Sequence, residues 1–503
     1  MFASTFRKSL VIAVVAAGAL VLPSAASAGH GAGMPPPVDS LKLSFERTSG
    51  LQAPAVAPGS EQSFKCENGQ AGPFPCKNVD LEAFLPLGGA GAGTGNDVWG
   101  WTDPLSQREY AIVSSALATT FVDVTDPQNP RNLGYLPTET QPIPDFVLWR
   151  DVKVVGNHAF IVSEVTNHGM QVFDLTRLRD AGPLPQAFTP DTVYRGADDT
   201  GQKLGNVHNV AVNAETNFAY AVGSNTCDAN GATGENGGLH MIDISNPEEP
   251  KFAGCARVTE PSTNNYVHDV QCTIYSGPDS DYTGREICFG SNENVVTIYD
   301  VTDKSNPIVI SQTGYPQAAY THQGWLTADQ QFFLFGDELD EQGSTVDNTT
   351  TYISEMQDLD NPGAPKAYSH ATQSIDHNLF IDKGLAHESN YTAGLRIMDF
   401  TAESLRAGQL EEVGFFDVLP GVDVREFAGT WSNYPYFPSG NVVATTIEGG
   451  TSILYVLKPT GDAAEGSEPN GEVVQPPKGG KPPKGGKPPK GGKPPKGGKP
   501  PKA

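Results

Sequence analysis

Short hydrophobic runs separated by turn sequences recur along the chain from residue 97 onward. In one unit, residues 151–155 have the pattern of a strand, Gly156-Asn157 that of a hairpin turn, and residues 159–162 that of a second strand. Residues 170–175 predict a third strand and residues 192–194 an outer fourth. Each unit is therefore expected to form an antiparallel sheet of four strands.

The third strand of each unit ends in a recurring phrase. β-Branched and aromatic residues lead into Asp-Pro or Asn-Pro turn chemistry, in which the Asp or Asn side chain caps the turn and Pro fixes φ. The seven copies, the last two weaker, are residues 121–127, 172–176, 240–247, 298–303, 396–401, 352–362 and 453–459. Residues 97–459 give each unit about 52 residues, which predicts an all-β fold, a seven-bladed β-propeller of four-stranded antiparallel blades.

Closure of this ring needs an outer strand for the seventh unit, which ends at Pro459 without one. Residues 81–87 precede the first unit and resemble the outer-strand phrase at residues 134–137. An open stack of sheets would leave its end faces exposed. We therefore expect residues 81–87 to complete the seventh blade; the alternative is that they are linker.

The ends of the chain differ in composition from the propeller. Residues 1–28 have basic residues, an apolar run and a small-residue cleavage site, and predict a signal peptide. Residues 29–65 predict a linker, residues 66–96 a disulfide loop with the closing strand, and residues 460–503 a disordered KPPKGG-repeat tail. The apolar run at residues 10–22 is too short to span a bilayer, and no later run is longer. We expect a secreted or envelope-associated protein without a transmembrane segment.

Charge narrows the range of partners. The formal net charge is −25, and without the leader and tail 22 basic and 54 acidic residues leave about −32. This balance argues against nucleic acid. The nine lysines of the tail suit an anionic envelope surface, whereas a solubilising spacer is the alternative.

Six cysteines in an exported chain suggest disulfides. None has CxxC spacing, which argues against a thiolate metal site or a redox pair. Fifteen connectivities are possible. Pairing of nearest neighbours would join Cys66 with Cys76, Cys227 with Cys255, and Cys272 with Cys288.

Several long phrases resemble the choice-of-anchor B family, whose domains carry LVIVD-type propeller repeats. They extend from Cys66 to Leu457 and include residues 96–101, 149–153, 168–174, 320–326, 376–378, 394–397 and 431–437. The resemblance implies a propeller fold and a surface location, and no established reaction. The chain departs from the anchored pattern, because its basic tail has neither a sorting motif nor a hydrophobic segment.

Four histidines, 60, 54 and 55 residues apart, occupy equivalent positions in the repeat: His208, His268, His322 and His377. Each begins an innermost strand, so we expect the four to cluster at one mouth of the propeller channel, with Arg150 at the equivalent place in the second blade. Loops on the same face carry Glu164, Asn225, Glu293, Asp337, Glu338, His387, Glu388 and Glu448.

Imidazoles beside carboxylates are suited to a transition metal such as Zn, Cu, Fe or Ni. The alternative is structural, since a histidine at this position can hydrogen-bond a neighbouring strand. His30, His158, His240 and His370 lack the register and are expected on the surface or in turns. Residues 279–284 are expected to form a hairpin turn and residues 337–341 a solvated loop, rather than calcium sites.

Three functional hypotheses remain open. The first is a non-enzymatic propeller that binds a protein, glycan or small ligand at its mouth, with or without a bound metal. The second is a metalloenzyme, oxidative or hydrolytic, with the histidines as ligands and a Glu as base. The third is a purely structural surface protein. No GxSxG or HExxH motif is present.

Overall fold

Four-stranded antiparallel sheets repeat seven times and form the blades of a β-propeller, as the sequence predicts. The computed structural model describes residues 63–87, 93–140, 149–197, 201–228, 237–259, 265–447 and 452–467. The predicted signal peptide, residues 29–62 of the predicted linker and residues 468–503 of the predicted tail lie outside these residues. Within them, no helix is long and apolar enough to cross a membrane.

We number the blades in chain order and the strands of each blade from the channel outward. Blade 1 is Gly95–Thr102, Glu109–Ser115, Ala118–Asp123 and Arg131–Pro137; blade 2 is Arg150–Val155, His158–Ser163, Met170–Asp174 and Thr192–Tyr194; blade 3 is Val207–Asn213, Phe218–Ser224, Leu239–Asp243 and Lys251–Ala256; blade 4 is Asp269–Ile274, Glu286–Ser291, Val295–Asp300 and Ile308–Gly314.

The other three blades follow the same order. Blade 5 is Thr321–Leu326, Phe332–Asp337, Thr350–Glu355 and Lys366–Ser369; blade 6 is Leu379–Asp382, Leu385–Ser389, Leu395–Asp399 and Glu411–Phe416; blade 7 is Gly429–Tyr434, Val442–Ile447, Ser452–Pro459 and Val79–Leu87. The remaining elements are the short strands Gln70–Ala71 and Phe74–Lys77 at the edge of blade 6, Gln186–Ala187 at the edge of blade 1, the pair Gly196–Ala197 and Gln202–Lys203, the α-helix Ala402–Ala407, and 3-10 helices at Leu175–Asp180, Ser280–Tyr282 and Gly461–Ala463.

The ring closes between the two ends of the propeller sequence. Val79–Leu87 pairs antiparallel with Ser452–Pro459, which confirms the strand predicted for residues 81–87. The Tyr455 ring is buried at this junction, with ring centroids 5.2 Å from Phe84, 5.9 Å from Phe416 and 6.1 Å from Phe74. Residues distant in the sequence thus share one core at the closure.

Side chains cap the ends of several third strands, at the predicted Asp-Pro residue in blade 1 and at other aspartates. The Asp126 carboxylate, before Pro127, accepts from the Gln128 N–H at 3.3 Å. The carboxylates of Asp123, Asp243 and Asp300 accept hydrogen bonds from the backbone N–H two residues on, at 3.1, 2.9 and 3.0 Å. Each strand therefore stops at a capped turn, and the fourth strand can return antiparallel to it.

All three predicted disulfides are present. Cys272–Cys288 joins the first two strands of blade 4, and Cys227–Cys255 ties the loop after the second strand of blade 3 to the outer strand. Cys66–Cys76 closes the loop that leads into the short strands beside blade 6.

Apolar side chains fill the spaces between neighbouring blades. Val162 of blade 2 and Val210 of blade 3 belong to one such cluster, and Tyr220 of blade 3 and Tyr299 of blade 4 to the next. Each blade is thus apolar on both faces, and its neighbours supply most of the surface that it buries.

Polar side chains meet nearer the channel axis. We call them the polar belt; one comes from the start of each innermost strand: Asp97, Asp151, Asn209, Asp269, Gln323, Asn378 and Ser432. Asn209 Nδ2 donates to the carbonyl of His268 at 3.1 Å, and Gln323 Oε1 accepts from the Leu379 N–H at 2.9 Å. The Ser432 hydroxyl donates to Asp97, which joins blade 7 to blade 1.

Replacing Tyr455 with Ala should lower the free energy of unfolding by about 3–5 kcal/mol, because it removes a fully buried aromatic ring from the closure. Denaturant or thermal unfolding measures the loss. As a control, Leu105→Ala removes a side chain that is 76% exposed and should change stability by less than about 0.5 kcal/mol. Equal effects of the two variants would contradict a packed closure.

Candidate metal centre at the channel mouth

Four imidazoles lie side by side at the starts of the innermost strands of blades 3 to 6. We call His208, His268, His322 and His377 the histidine row. Successive ring centroids are 4.3, 4.3 and 4.2 Å apart. None of the four residues is more than 4% exposed. The repeat therefore brings residues more than fifty positions apart in sequence into one continuous row of tilted rings.

Hydrogen bonds fix the protonation of two of these rings. His268 Nδ1 donates to the carbonyl of His322 at 2.9 Å, and His377 Nδ1 donates to the carbonyl of Trp431 at 2.5 Å. Because a carbonyl oxygen only accepts, Nδ1 carries the proton and Nε2 keeps its lone pair. The same bonds join neighbouring blades, so these histidines also have a structural role. A backbone carbonyl on one nitrogen is also the usual support of a metal-binding histidine.

Glu338 lies between the last two rings of the row. Its Oε2 is 3.8 Å from His322 Nε2, and its Oε1 is 3.6 Å from His377 Nε2. Ligand atoms of all three residues lie within 4.8 Å of one another. Two ligands bound about 2.1 Å from a tetrahedral metal stand about 3.4 Å apart, so the trio is close to ligand spacing.

Several buried polar atoms around this trio have no hydrogen-bond partner among the described residues. They are His322 Nδ1, Glu338 Oε2 and the hydroxyl of Tyr320. Glu338 Oε1, by contrast, accepts a hydrogen bond of 2.5 Å from the Tyr391 hydroxyl. Buried groups without partners are rare in folded proteins and often mark the place of a water, ion or ligand.

The electrostatics of the row favour neutral imidazoles. Burial, reinforced by the neighbouring histidines, holds the pKa of His268 and His322 well below the usual range, and burial lowers that of His377 to about 3. Burial also raises the pKa of Glu338 to about 7. Neutral imidazoles offer lone pairs to a metal without the prior loss of a proton.

His208 differs from the rest of the row. Its Nδ1 lies 2.7 Å from Glu164 Oε1. Burial lowers its pKa, but the hydrogen bond and charge of Glu164 outweigh burial, and the pKa is raised overall. The row thus begins with an ion pair between His208 and Glu164 and ends with two neutral imidazoles beside Glu338.

Aromatic side chains that the sequence reasoning missed frame the row. Trp431 packs on His377 with ring centroids 4.2 Å apart, and Trp149 lies 6.3 Å from His208. Tyr320 lies 5.1 Å from His268. The repeat could have indicated Trp431, because this residue immediately precedes a polar-belt residue, as each histidine of the row does.

Arg150 shares the register but its side chain lies between blades 1 and 2. Its Nε donates to the carbonyl of Ser115 at 2.9 Å, and its Nη1 is 3.2 Å from His168 Nε2. Burial lowers its pKa to about 9. These contacts hold the guanidinium between the two blades and away from the row. The preceding residue, Trp149, lies next to the row instead.

Of the other candidate residues, Glu293 lies near Tyr320 beside the row, whereas Asn225, His387 and Glu388 have contacts elsewhere. Burial raises the pKa of the Tyr320 hydroxyl, and the nearby charge of Glu293 adds to this effect. The Asn225 amide, by contrast, accepts from the Gly205 N–H at 2.8 Å and orders a loop. Glu388 lies 3.3 Å from His370 between blades 5 and 6, and His387 lines a cavity with Lys383. Glu448 lies outside the described residues.

The prediction of a solvated loop at residues 337–341 is wrong. Asp337, Glu338, Asp340 and Glu341 are at most 1% exposed. The segment packs against Tyr315 and Tyr352. The Tyr315 hydroxyl donates to Asp337 at 2.7 Å, and the Tyr352 hydroxyl donates to Asp340 at 2.8 Å. Burial raises the pKa of Asp337 to about 6 and that of Asp340 to about 7.

The placement predicted for His240 and His370 is also wrong, because both are buried. His240 lies between Tyr194 and Thr226 at 2.9 Å from each, and His370 lies 2.9 Å from the Thr351 hydroxyl. His158 is half-buried, and His30 lies outside the described residues. Residues 279–284 belong to the connection between the first two strands of blade 4, as predicted.

Replacing Glu164 with Gln should destabilise the protein most at acidic pH. Because the folded-state pKa of His208 lies above its ordinary value of 6.5, the pair stabilises the fold below about pH 6.5, and this contribution is lost as the pH rises through the folded-state pKa. Unfolding temperatures of both proteins from pH 5 to 9 test this. Glu215→Gln, an exposed change, is the matched control. A difference that is independent of pH would contradict the pairing.

The comparisons with known proteins address the fold. Residues 233–256, which include the third and fourth strands of blade 3, match the family model of the LVIVD repeat. No curated protein matches the chain. Among solved structures, the β-propeller domain of Cps50 (Swd1) from Myceliophteria thermophila is similar, with 10% identity over 73% of this chain and 98% of that chain and a TM-score of 0.43. The choice-of-anchor B assignment stays a prediction. With seven four-stranded blades and one segment that matches the repeat model, the chain is a seven-bladed β-propeller that carries an LVIVD repeat.

Proposed function

We propose that this propeller is an exported, envelope-associated binding protein that holds a transition-metal ion at its channel mouth on His322, Glu338 and His377. The metal presents an open position to a ligand or partner. The observation that carries the proposal is Glu338, a buried carboxylate placed 3.8 and 3.6 Å from two neutral imidazoles, with an oxygen to which no described residue donates a hydrogen bond.

The donor set points to a transition metal. Two imidazoles and one carboxylate suit Zn, Cu or Fe, whereas Ca and Mg prefer oxygen alone. The Trp431 carbonyl accepts from His377 Nδ1, so the other ring nitrogen, Nε2, is free to face Glu338. The Tyr391 hydroxyl holds the carboxylate from the other side.

Export is supported by sequence and by covalent structure. The leader-like residues 1–28 precede a chain whose six cysteines all form disulfides, which persist in oxidising compartments. The lysine-rich tail suits an anionic envelope surface, which would keep an otherwise acidic protein near the cell.

Protein purified from the export compartment without chelators should contain about one transition-metal ion per chain by elemental analysis. His322→Ala with His377→Ala should lose it, because two of three ligands are gone. His158→Ala, outside the row, should keep it. Metal-free wild-type protein would contradict the proposal if it also fails to bind added Zn²⁺ or Cu²⁺.

Fluorescence gives a second readout of the same site. Cu²⁺ bound at His377 should quench Trp431, whose ring is 4.2 Å from that imidazole. Trp431→Phe should lose most of the quenching, and Trp149→Phe, changed beside His208 at the other end of the row, should keep it. Equal quenching in both variants would place the ion elsewhere.

A metalloenzyme is the second candidate, because three protein ligands leave a position for water or substrate, as in catalytic zinc sites. The visible spectrum of Co²⁺-loaded protein should change on addition of azide if that position is open. Protein loaded with Zn²⁺ and then challenged with Co²⁺ serves as the control. A spectrum that azide does not alter would indicate a closed site and remove the basis for both a presented ligand and catalysis.

A further inference from the structure

A lysine is buried between two carboxyl groups where the innermost strands of blades 1 and 2 meet. Lys153 Nζ lies 2.6 Å from Asp151 Oδ1 and 3.0 Å from Asp97 Oδ2. Asp151 is 2% exposed and Asp97 is 3% exposed, and the side chain of the lysine is 12% exposed. The amine also lies 4.8 Å from the centroid of the Trp99 ring. One amine thus faces two carboxyl groups, one from its own strand and one from the neighbouring blade.

The charges of this trio do not balance if both carboxyl groups are ionised. Burial raises the pKa of Asp97 well above its usual range, although the charge of Lys153 opposes this effect. Burial acts in the same direction on Asp151, but there the charge of Lys153 prevails and the pKa is lowered. Asp151 is therefore the ion partner of the lysine, and Asp97 is a neutral carboxylic acid in contact with the same amine.

The groups around Lys153 have the positions that formation of an amide requires. Contact between Nζ and Asp97 Oδ2 keeps the amine beside the carboxyl group, so no bimolecular encounter is needed. Asp151 lies within hydrogen-bond reach of the amine and can take its proton. The Ser432 hydroxyl donates to Asp97 Oδ1, the oxygen on which negative charge develops when the carboxyl carbon is attacked.

A second buried lysine provides the contrast. Lys304 Nζ lies 2.6 Å from Glu286 Oε2, and the two side chains are 10% and 4% exposed. Among the ion pairs of the described residues, Glu286 is the only carboxylate that pairs with Lys304. Asn213 and Thr216 donate to the other oxygen of Glu286 at 2.7 Å, which stabilises the ionised carboxylate. Burial and proximity are thus the same in both places, but Lys304 has no second carboxylate to accept its proton.

We propose that Lys153 and Asp97 condense to an intramolecular isopeptide bond that joins blade 1 to blade 2, with Asp151 as the proton acceptor. The ammonium gives one proton to Asp151, and the neutral amine attacks the carboxyl carbon of Asp97. The bond from that carbon to Oδ2 breaks, and Oδ2 leaves as water with the carboxyl proton and a second proton from the amine. An amide N–H remains and Asp151 keeps the proton that it accepted, so the step needs no oxidant, reductant or cofactor.

The ion pair slows this reaction without preventing it. Burial lowers the pKa of Lys153, but the charges of Asp151 and Asp97 outweigh burial and raise it. The neutral amine is therefore a minority form. The reaction needs to occur only once in each chain, and it replaces a buried ion pair with neutral groups. It does not depend on the metal proposed at the channel mouth.

Peptide mapping of the purified wild-type chain tests the proposal. After reduction of the disulfides and digestion with trypsin, residues 78–108 and 151–177 should be recovered as one branched peptide. Its mass should equal the sum of the two segments less one water, because trypsin does not cut after an acylated lysine. Recovery of residues 78–108, 151–153 and 154–177 as separate peptides, with no branched product, would overturn the proposal.

A variant tests the role of the proton acceptor. Asp151→Asn keeps both reacting groups, and it should slow formation of the branched peptide by about 100-fold in samples taken at intervals during expression. Lys304 and Glu286 are the internal control, because the same digests should contain no peptide that joins them. Formation at the wild-type rate in the variant would contradict the role given to Asp151. If the variant fails to fold, the digest of the wild-type chain still decides whether the bond exists.

Discussion

Polar side chains packed around the channel axis are the constraint on which the rest of this structure depends. Seven innermost strands converge there and bring two layers of polar residues with them, the polar belt and the histidine row with its neighbours. Each buried polar group needs a partner, and several find one in the adjoining blade. Asn209, Gln323 and Ser432 each bond across a blade boundary. The interactions that satisfy these groups therefore also hold the ring together.

The same constraint separates architecture from candidate chemistry among the histidines. His240 has a hydroxyl at each ring nitrogen, and His168 has a carbonyl at one and Arg150 at the other. Both ring nitrogens of each histidine therefore have a hydrogen-bond partner within the propeller. His377 uses one nitrogen to join blades and directs the other at Glu338. Burial alone does not distinguish a metal-binding histidine from a structural one. The group that faces the second ring nitrogen does.

Much of the fold could be predicted because it depends on local patterns. The strand periodicity, the capped turns and the closing strand at residues 81–87 follow from neighbouring residues, and the register of the repeat places the histidines together. The burial of residues 337–341 depends on Tyr315 and Tyr352, which reach the segment from separate strands and loops. Such contacts are tertiary, and no local pattern in a polar acidic run indicates them.

Two further misassignments have simpler causes. His387 and Glu388 are consecutive residues of one strand, so their side chains face opposite sides of the sheet and cannot both face one centre. Arg150 occupies the register of the row, but its longer side chain reaches the carbonyl of Ser115 in blade 1. Register fixes where a side chain begins, and its length and the nearest acceptor decide where it ends.

The chain has more acidic than basic residues, and this excess affects its buried carboxylates. With 33 basic and 58 acidic residues, internal pairing cannot neutralise every carboxylate, and several of those left over lie in the interior. Glu338 faces imidazole nitrogens, whereas Asp340 accepts from the Tyr352 hydroxyl and Glu341 from the Thr350 N–H. Cations sort by donor type, with imidazole favouring transition metals and carboxylate favouring Ca²⁺. Successive side chains of one short segment thus lie in chemically different surroundings, and only Glu338 among them is placed between two imidazoles.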